Sequence, residues 1–356
     1  MDLKIIETFF KVGKLFGLTP PSLDNTKPTL CQKMFVLLMF SACTVGTLVA
    51  FYYRGLQYAQ LVPIKAVLWF ATDMSRYCQS FYTLVVVMLF KRKRWFQLVE
   101  NLKRLESKST NSHRFLFLAV HFSFSLFLGI MNFLCFTSLG SSCFKLYHVE
   151  YYQFYSQFFY MLFSYTVLRL LVARYRYQRT LLKEKIMTER TRFTTNLEKI
   201  RCSLITLKET VDIYNDIFGT VTLLNIFFIS GKTLVYFDNI VKKESALKSN
   251  RQDGNLLLYF IQSGVLMIYW GGTAANALMS DTVTREGERI VMLSHRLELV
   301  TANLTPIEKK CLKYFIDTIC CNRPVVVLAR FFPLNRETIF RIANSIIAFF
   351  LVVVQF

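Results

Sequence analysis

The chain has 356 residues, of which 53% are apolar and only 19% charged, and it carries a formal net charge of +20. A soluble chain of this length usually has about 25% charged residues, and here the apolar residues lie in long blocks, so the composition excludes an ordinary soluble protein. The nine cysteines are odd in number and scattered, with no CxxC pair and no histidine at ligand spacing, which argues against a disulfide framework or a zinc site.

Seven segments are apolar enough to form transmembrane helices, which need about 20 mostly apolar residues. The second is longer than a span requires and contains Asp73 and Arg76. No cleavable signal precedes the first, because the N-terminus lacks a basic stretch followed by an apolar one. We therefore expect an all-α membrane protein with seven transmembrane helices. The predicted spans are 34–53, 64–90, 115–139, 150–172, 216–237, 256–280 and 338–356.

Lysine and arginine in the connecting segments predict the orientation, because cytoplasmic loops carry an excess of these residues. Of them, 32 lie in the segments 1–33, 91–114, 173–215 and 281–337. The three alternate loops together hold only 6. The N-terminus is therefore predicted to be cytoplasmic and the C-terminus extracellular. This placement also explains the net charge, since the excess faces anionic lipid headgroups and no nucleic-acid partner is needed.

The longer cytoplasmic segments have helical patterns. In 173–215, Leu197, Ile200, Leu204 and Leu207 recur at three- and four-residue spacing, and few helix-breaking residues intervene. We interpret this segment as helical extensions of the fourth and fifth spans. The chain then divides into a cytoplasmic segment 1–33, transmembrane helices 1–4 over 34–172, a cytosolic helical loop 173–215, transmembrane helices 5–6 over 216–280, a cytosolic helical loop or anchor 281–337, and the last transmembrane helix over 338–356.

Seven spans suggest a receptor coupled to G proteins, but the sequence argues against that class. Such receptors have an external N-terminus and a cytosolic tail, whereas the charge distribution here predicts the reverse. The third span has no DRY motif at its inner end and the seventh has no NPxxY motif. We therefore expect no G protein as a partner.

The C-terminal stretch AFFLVVVQF resembles the end of the insect gustatory receptors. Their signature closes the seventh helix with Thr-Tyr, five apolar residues and Gln-Phe. Gln355, Phe356 and the five apolar residues match, whereas Ala348 and Phe349 stand where the family usually has Thr and Tyr. Upstream, FFPLNRETIF at 331–340 is similar to the family's segment before that helix. The inverted topology and the chain length fit the family over the whole chain.

The resemblance implies a tetrameric, ligand-gated, non-selective cation channel that opens on a small-molecule tastant. It implies a receptor in the plasma membrane of sensory neurons, assembled as a homo- or hetero-tetramer with related receptors. In that family the seventh helices line one central pore, spans two to six form an extracellular-side ligand pocket, and the cytosolic helical extensions anchor the tetramer. Whether Ala348 and Phe349 alter gating is left open by the resemblance, and so is the identity of the tastant.

One face of the seventh helix is small or polar, as a pore lining requires. By three- and four-residue steps it presents Gln355, Val352, Ala348, Ser345 and Arg341, and its neighbour is bulky and apolar. From this pattern alone, a small-residue packing face between helices explains the stripe equally well. With the resemblance we expect a ring of Gln355 amides at the outer mouth and a dewetting constriction at Val352. The candidate pore and gate residues are Gln355, Val352, Phe356, Ala348 and Ser345.

Polar residues inside spans are costly, so each one needs a partner. Asp73 and Arg76 lie three residues apart and can pair on one helix face, either for structure alone or also to meet a ligand. Lys232 on the fifth span falls in the predicted outer half and either snorkels to the interface or faces the bundle. The aromatic run at 150–160 suits an interfacial belt, although some of its rings should face a pocket. The candidate ligand-pocket residues are Trp69, Asp73, Arg76, Asn132, Tyr155, Phe158 and Gln262.

Other functions remain possible from the sequence. A secondary transporter would usually show repeats with paired broken helices, which this chain lacks. A non-conducting accessory subunit, which shapes the response of a partner receptor, is a further alternative. The four histidines are isolated, and neither an HExxH motif nor a Gly-rich phosphate loop is present. We therefore expect neither an enzyme nor a bound cofactor.

Overall fold

The computed structural model describes residues 3–20, 28–59, 61–105, 113–188, 193–247, 256–300 and 304–355. Almost all of these residues are helical. The helices are α1 (Leu3–Leu15), α2 (Leu30–Ala59), α3 (Pro63–Phe81) with a π-helical continuation (Tyr82–Phe90), α4 (Arg92–Arg104), α5 (His113–Leu139), α6 (Ser142–Thr188), α7 (Phe193–Leu247), α8 (Leu256–Val300), α9 (Pro306–Cys321) and α10 (Arg336–Gln355). Two short strands, β1 (Val327–Leu328) and β2 (Phe332–Pro333), pair between α9 and α10.

Within the described residues, four helices are long and apolar enough to cross a membrane, over Leu30–Gly55, Phe117–Thr137, Ser142–Glu184 and Phe193–Val241. α3 instead contains three charged residues, Lys65, Asp73 and Arg76. α7 has 55 residues, a length of about 80 Å at 1.5 Å per residue. The hydrocarbon core of a bilayer is only about 30 Å thick. α7 is therefore much longer than the thickness of a bilayer, and so is α6, which has 47 residues.

The long helix α6 lies at the centre of the bundle and packs against α2, α5, α7 and α8. Its rings form much of the core: Phe163 stacks on Trp95 of α4 with centroids 5.0 Å apart. Phe9 of α1 stacks on Phe163 from another side, at 4.4 Å. Both α1 and α4 are amphipathic, and each buries its apolar face against this bundle. They come from segments in which the sequence analysis identified only positive charge.

At the other end of the bundle, the extensions of α6, α7 and α8 pack together, and α9 packs on α7 and α8. The apolar residues predicted to share a helix face in α7 are all buried: Leu197, Ile200, Leu204 and Leu207. Glu286 of α8 is also buried, and it forms ion pairs with Arg176, Arg179 and Arg289. Three arginines around one buried carboxylate satisfy its charge and fix α6 against α8. α9 begins with a capping box, in which Thr305 and Glu308 each bond the other's backbone.

The β1–β2 hairpin connects α9 to α10 and is held by α7. Its turn places Ala329 and Arg330 at positive φ, 45° and 65°, as the two central positions of a tight hairpin turn require. Asn215 of α7 donates to the Val325 carbonyl (2.9 Å) and accepts from the Val327 amide (3.1 Å). The hairpin therefore sets where α10 begins. α10 then packs along α7 and α8.

Candidate functional site

A cavity opens between α2, α3, α6, α7 and α8, at the end of the bundle where α2 and α7 end and α3, α6 and α8 begin. The space between its lining atoms, including the open mouth, is about 650 Å³. On the predicted orientation this is the extracellular half. The lining consists of Arg54, Trp69, Thr72, Asp73, Arg76, Tyr147, Glu150, Lys232, Val235, Tyr236, Asn239, Gln262 and Leu266.

An ion network forms one wall of the cavity. Arg54 of α2 pairs with Asp73 of α3 at 3.0 Å and with Glu150 of α6. Arg76 of α3 pairs with the same two carboxylates. Two arginines and two carboxylates thus form a closed square that joins three helices. Charges inside a membrane bundle are costly unless they are paired, so this network fixes the relative positions of the three helices.

Aromatic groups complete the polar wall. The Tyr58 hydroxyl donates to Asp73 at 2.5 Å, and the Arg54 guanidinium lies over the Tyr147 ring, 5.0 Å from its centroid. Arg76 lies over the rings of Phe154 and Phe228 on its other side, at about 5.5 Å. Cation–π contacts of this kind stabilise a guanidinium that water does not reach.

Lys232 adds a fifth charge to the lining. It comes from α7, is partly buried and faces the cavity. Its amine makes no hydrogen bond or ion pair with another described residue, although it lies within electrostatic range of Glu150. The lining therefore combines three cationic side chains with two carboxylates.

The structure brings four of the seven predicted pocket residues together, namely Trp69, Asp73, Arg76 and Gln262, all of which line the cavity. The other three lie elsewhere. The Tyr155 hydroxyl is hydrogen-bonded to His121 of α5 at 2.7 Å. Phe158 stacks on Phe124 of α5, with centroids 3.7 Å apart. Asn132 is exposed on α5.

The terminal helix α10 contacts the rest of the chain along one edge. Ile346 is buried, and Phe350 packs on Phe237 of α7 with centroids 5.1 Å apart. Of the predicted pore residues, Ser345, Ala348 and Val352 are exposed on the opposite side. Gln355 is the last residue of α10, and Phe356 lies outside the described residues.

The helices that line the cavity also hold α10. α7 carries Lys232 at the cavity and Asn215 at the hairpin. α8 carries Gln262 at the cavity, and Ser280 farther along donates to the Leu334 carbonyl at 2.6 Å. The same two helices therefore connect the cavity with the start of α10.

Comparison with known proteins agrees with this architecture. A family model described as 7tm chemosensory receptor matches residues 6–356, almost the entire chain. The chain belongs to this chemosensory receptor family. This confirms the family that the C-terminal residues predicted. The family consists of membrane receptors and is not a family of enzymes. A search of curated protein sequences found no significant match.

Solved structures show the same fold. The insect olfactory receptor OR5 from Machilis hrabei superimposes on this receptor with a TM-score of 0.68 at 12% identity, over 99% of this chain and 98% of that chain. The structure of the same olfactory receptor in complex with eugenol gives a TM-score of 0.59 at 13% identity, with the same coverage. The receptor therefore has the seven-helix membrane fold that the sequence predicted.

Sequence analysis missed residues that form or support the cavity wall of the receptor: Arg54 and Tyr147 line the cavity, and Tyr58 donates to Asp73. Arg54, Tyr58 and Tyr147 were assigned to loops, because hydropathy ends the first span at residue 53 and begins the fourth at 150. In the structure α2 continues to Ala59 and α6 begins at Ser142. A usable signal was present: Arg54 and Glu150 each flank an apolar span and carry charges that complement Asp73 and Arg76.

Proposed function

We propose that the receptor is a gustatory receptor that acts as a ligand-gated, non-selective cation channel. In this proposal four subunits, identical or related, surround a central pore in the plasma membrane of a sensory neuron. A small-molecule tastant binds in the cavity, and the resulting shift of α7 and α8 moves α10 and opens the pore.

The observation that carries the proposal is the exposure of α10 in the single chain. A transmembrane helix that packs by one edge must cover its remaining surface with lipid or with other copies. Ser345 and Ala348 lie on the uncovered side, where a polar and a small residue gain little from lipid. One helix cannot enclose a channel, whereas several copies of this face around an axis form a path that water and ions can enter.

The cavity supports the ligand-binding half of the proposal. It combines apolar and aromatic lining, such as Trp69 and Leu266, with a few convergent polar groups. That combination is typical of a small-molecule site. The structurally similar olfactory receptor OR5 has been solved with eugenol, a small aromatic compound, which favours a ligand of comparable size for this receptor.

Recordings from cells that carry only this chain test the proposal. Patches exposed to a tastant library should show unitary currents that reverse near zero when sodium and potassium are exchanged. Saturable flux without unitary currents would instead indicate a secondary transporter. Silence despite normal surface expression, restored only by a second receptor, would indicate a non-conducting accessory subunit.

A further inference from the structure

We infer that the ligand of the cavity carries a carboxylate that pairs with Lys232. The inference rests on the proposed ligand-binding role of the cavity and goes beyond it, because it names the chemical class of the ligand. The class is a small aromatic or short aliphatic monocarboxylic acid, bound as its anion.

The first argument is the charge balance of the lining. Its ionised side chains are Arg54, Arg76 and Lys232 against Asp73 and Glu150, so one positive charge is in excess. The arginines and carboxylates satisfy one another in the closed square. The neighbouring pair of Lys65 and Asp238, at 2.8 Å, is neutral in itself and does not alter the excess. Lys232 is therefore the cation without a dedicated counter-charge.

The second argument is that Lys232 does not behave as an interfacial lysine. A lysine that merely snorkels extends its amine to the headgroup region. Lys232 of α7 is instead partly buried, lies within electrostatic range of Glu150, Arg76 and Asp73, and lines the cavity. An unpaired ammonium inside a bundle is costly, and such a residue in a membrane protein usually serves a functional site.

The third argument is the set of groups around the amine. The Gln262 side chain lines the same cavity and makes no hydrogen bond with another described residue. Its amide can donate to a second oxygen of a carboxylate that Lys232 binds. Trp69, Val235 and Leu266 supply the apolar surface for the remainder of the ligand. An acid with a compact apolar body satisfies both parts of the lining, whereas a neutral ester leaves the ammonium without a counter-charge.

Binding to the purified receptor in lipid nanodiscs tests the inference. The probes are phenylacetate, cinnamate and hexanoate, each compared with its own methyl ester by calorimetry. We expect at least one acid to bind about tenfold or more tightly than its ester, the scale of one charge-assisted hydrogen bond. Lys232→Met should remove that preference, so that each acid binds no more tightly than its own ester. Lys232→Arg, which keeps the charge, should retain part of it.

The melting temperature of the ligand-free receptor separates this role from a structural one. Lys232→Met removes an unpaired charge, so the variant should melt at or above the wild-type temperature. A lower melting temperature would mean that Lys232 serves as a structural counter-charge for Glu150, and would overturn the inference. It would also be overturned if no acid in the panel bound, or if the variant kept the preference for acids.

The binding result does not depend on whether the receptor conducts ions, so the two proposals can fail separately. Acids that bind but evoke no current would contradict the proposed channel and leave the ligand class intact. Currents evoked by neutral compounds, in a receptor that binds none of the acids, would support the channel and overturn the ligand class.

Discussion

Glu150 illustrates how a single residue organises the cavity. It is buried near the beginning of α6 and pairs with Arg54 and Arg76, which come from two other helices. Each of these arginines has only one other carboxylate partner in the network, Asp73. The charge of Glu150 therefore balances the square, and without it two guanidinium groups would share one carboxylate inside the bundle.

Glu150→Gln should destabilise the receptor strongly while preserving the shape of the side chain. Removal of one member of a buried ion pair costs about 3–5 kcal/mol. We expect a clearly lower melting temperature in nanodiscs and reduced surface expression. Glu100→Gln is the matched control, since Glu100 pairs with Arg104 at the exposed surface of α4, at 2.6 Å. Exposed pairs contribute little, so equal effects of the two substitutions would contradict the account.

The same residues show which contacts can be predicted from residues that are close together in the sequence. The pairing of Asp73 with Arg76 was predicted because both lie on one helix, three residues apart. The other half of the square was not, since Arg54 and Glu150 are separated by 96 positions and meet only when α2 and α6 pack. Hydropathy detects the part of a helix that lipid covers, and these two residues lie at the ends of such parts.

At the scale of elements, the contact between α7 and the hairpin depends on the absence of a side chain. A Cβ atom at Gly219 would lie 2.9 Å from both the Ala329 amide nitrogen and the Val327 carbonyl oxygen. Both are backbone atoms of the hairpin and cannot rotate aside. The glycine thus permits the close approach that positions the start of α10.

Gly219→Ala should displace the hairpin and weaken the response to ligand. Alanine favours a helix over glycine by about 1 kcal/mol, but a steric clash in a packed region costs typically about 1–3 kcal/mol. We expect a smaller ligand-evoked current at unchanged ligand affinity, measured by recording and calorimetry. Gly129→Ala in α5, where a Cβ would meet nothing within 4 Å, is the control. A normal current in Gly219→Ala would show that this contact does not position α10.

The helices were largely predictable from sequence, whereas the hairpin was not. Long apolar runs indicate the apolar parts of α6, α7 and α8, and apolar residues at three- and four-residue spacing indicate the extension of α7. Strands of two residues have no detectable alternation, and the turn at Ala329 and Arg330 lacks the Asn-Gly signal of such turns. The amphipathic helices α1 and α4 were missed for another reason, because their segments were interpreted only through their charges.

At the scale of the whole molecule, the positive charge predicts the orientation. An epitope tag at the C-terminus should bind antibody on intact cells, whereas a tag at the N-terminus should bind only after permeabilisation. The physical reason is the excess of lysine and arginine in alternate segments, 32 against 6. The reverse labelling pattern would place the cavity at the cytoplasmic side and contradict the proposed route of the ligand.

The surface of α10 that suggests the pore also supports the proposed assembly of several subunits. α10 leaves large apolar side chains exposed on several sides, so lipid or neighbouring subunits must cover them in the membrane. In the proposed tetramer the side with Ser345, Ala348 and Val352 faces the axis. The exposed large residues of α10 are Phe340, Ile347, Phe349, Leu351 and Val352.

Cysteine accessibility on α10 tests the central claim most directly. Ser345 is exposed and Ile346, the next residue, is buried against the bundle, so Ser345→Cys and Ile346→Cys form a matched pair. A positively charged methanethiosulfonate reagent is applied while the ligand evokes current. Ser345→Cys should then lose most of its current, whereas the currents of Ile346→Cys and of the wild type should not change. Equal sensitivity of the two variants, or protection of Ser345→Cys in the open state, would contradict a pore lined by α10.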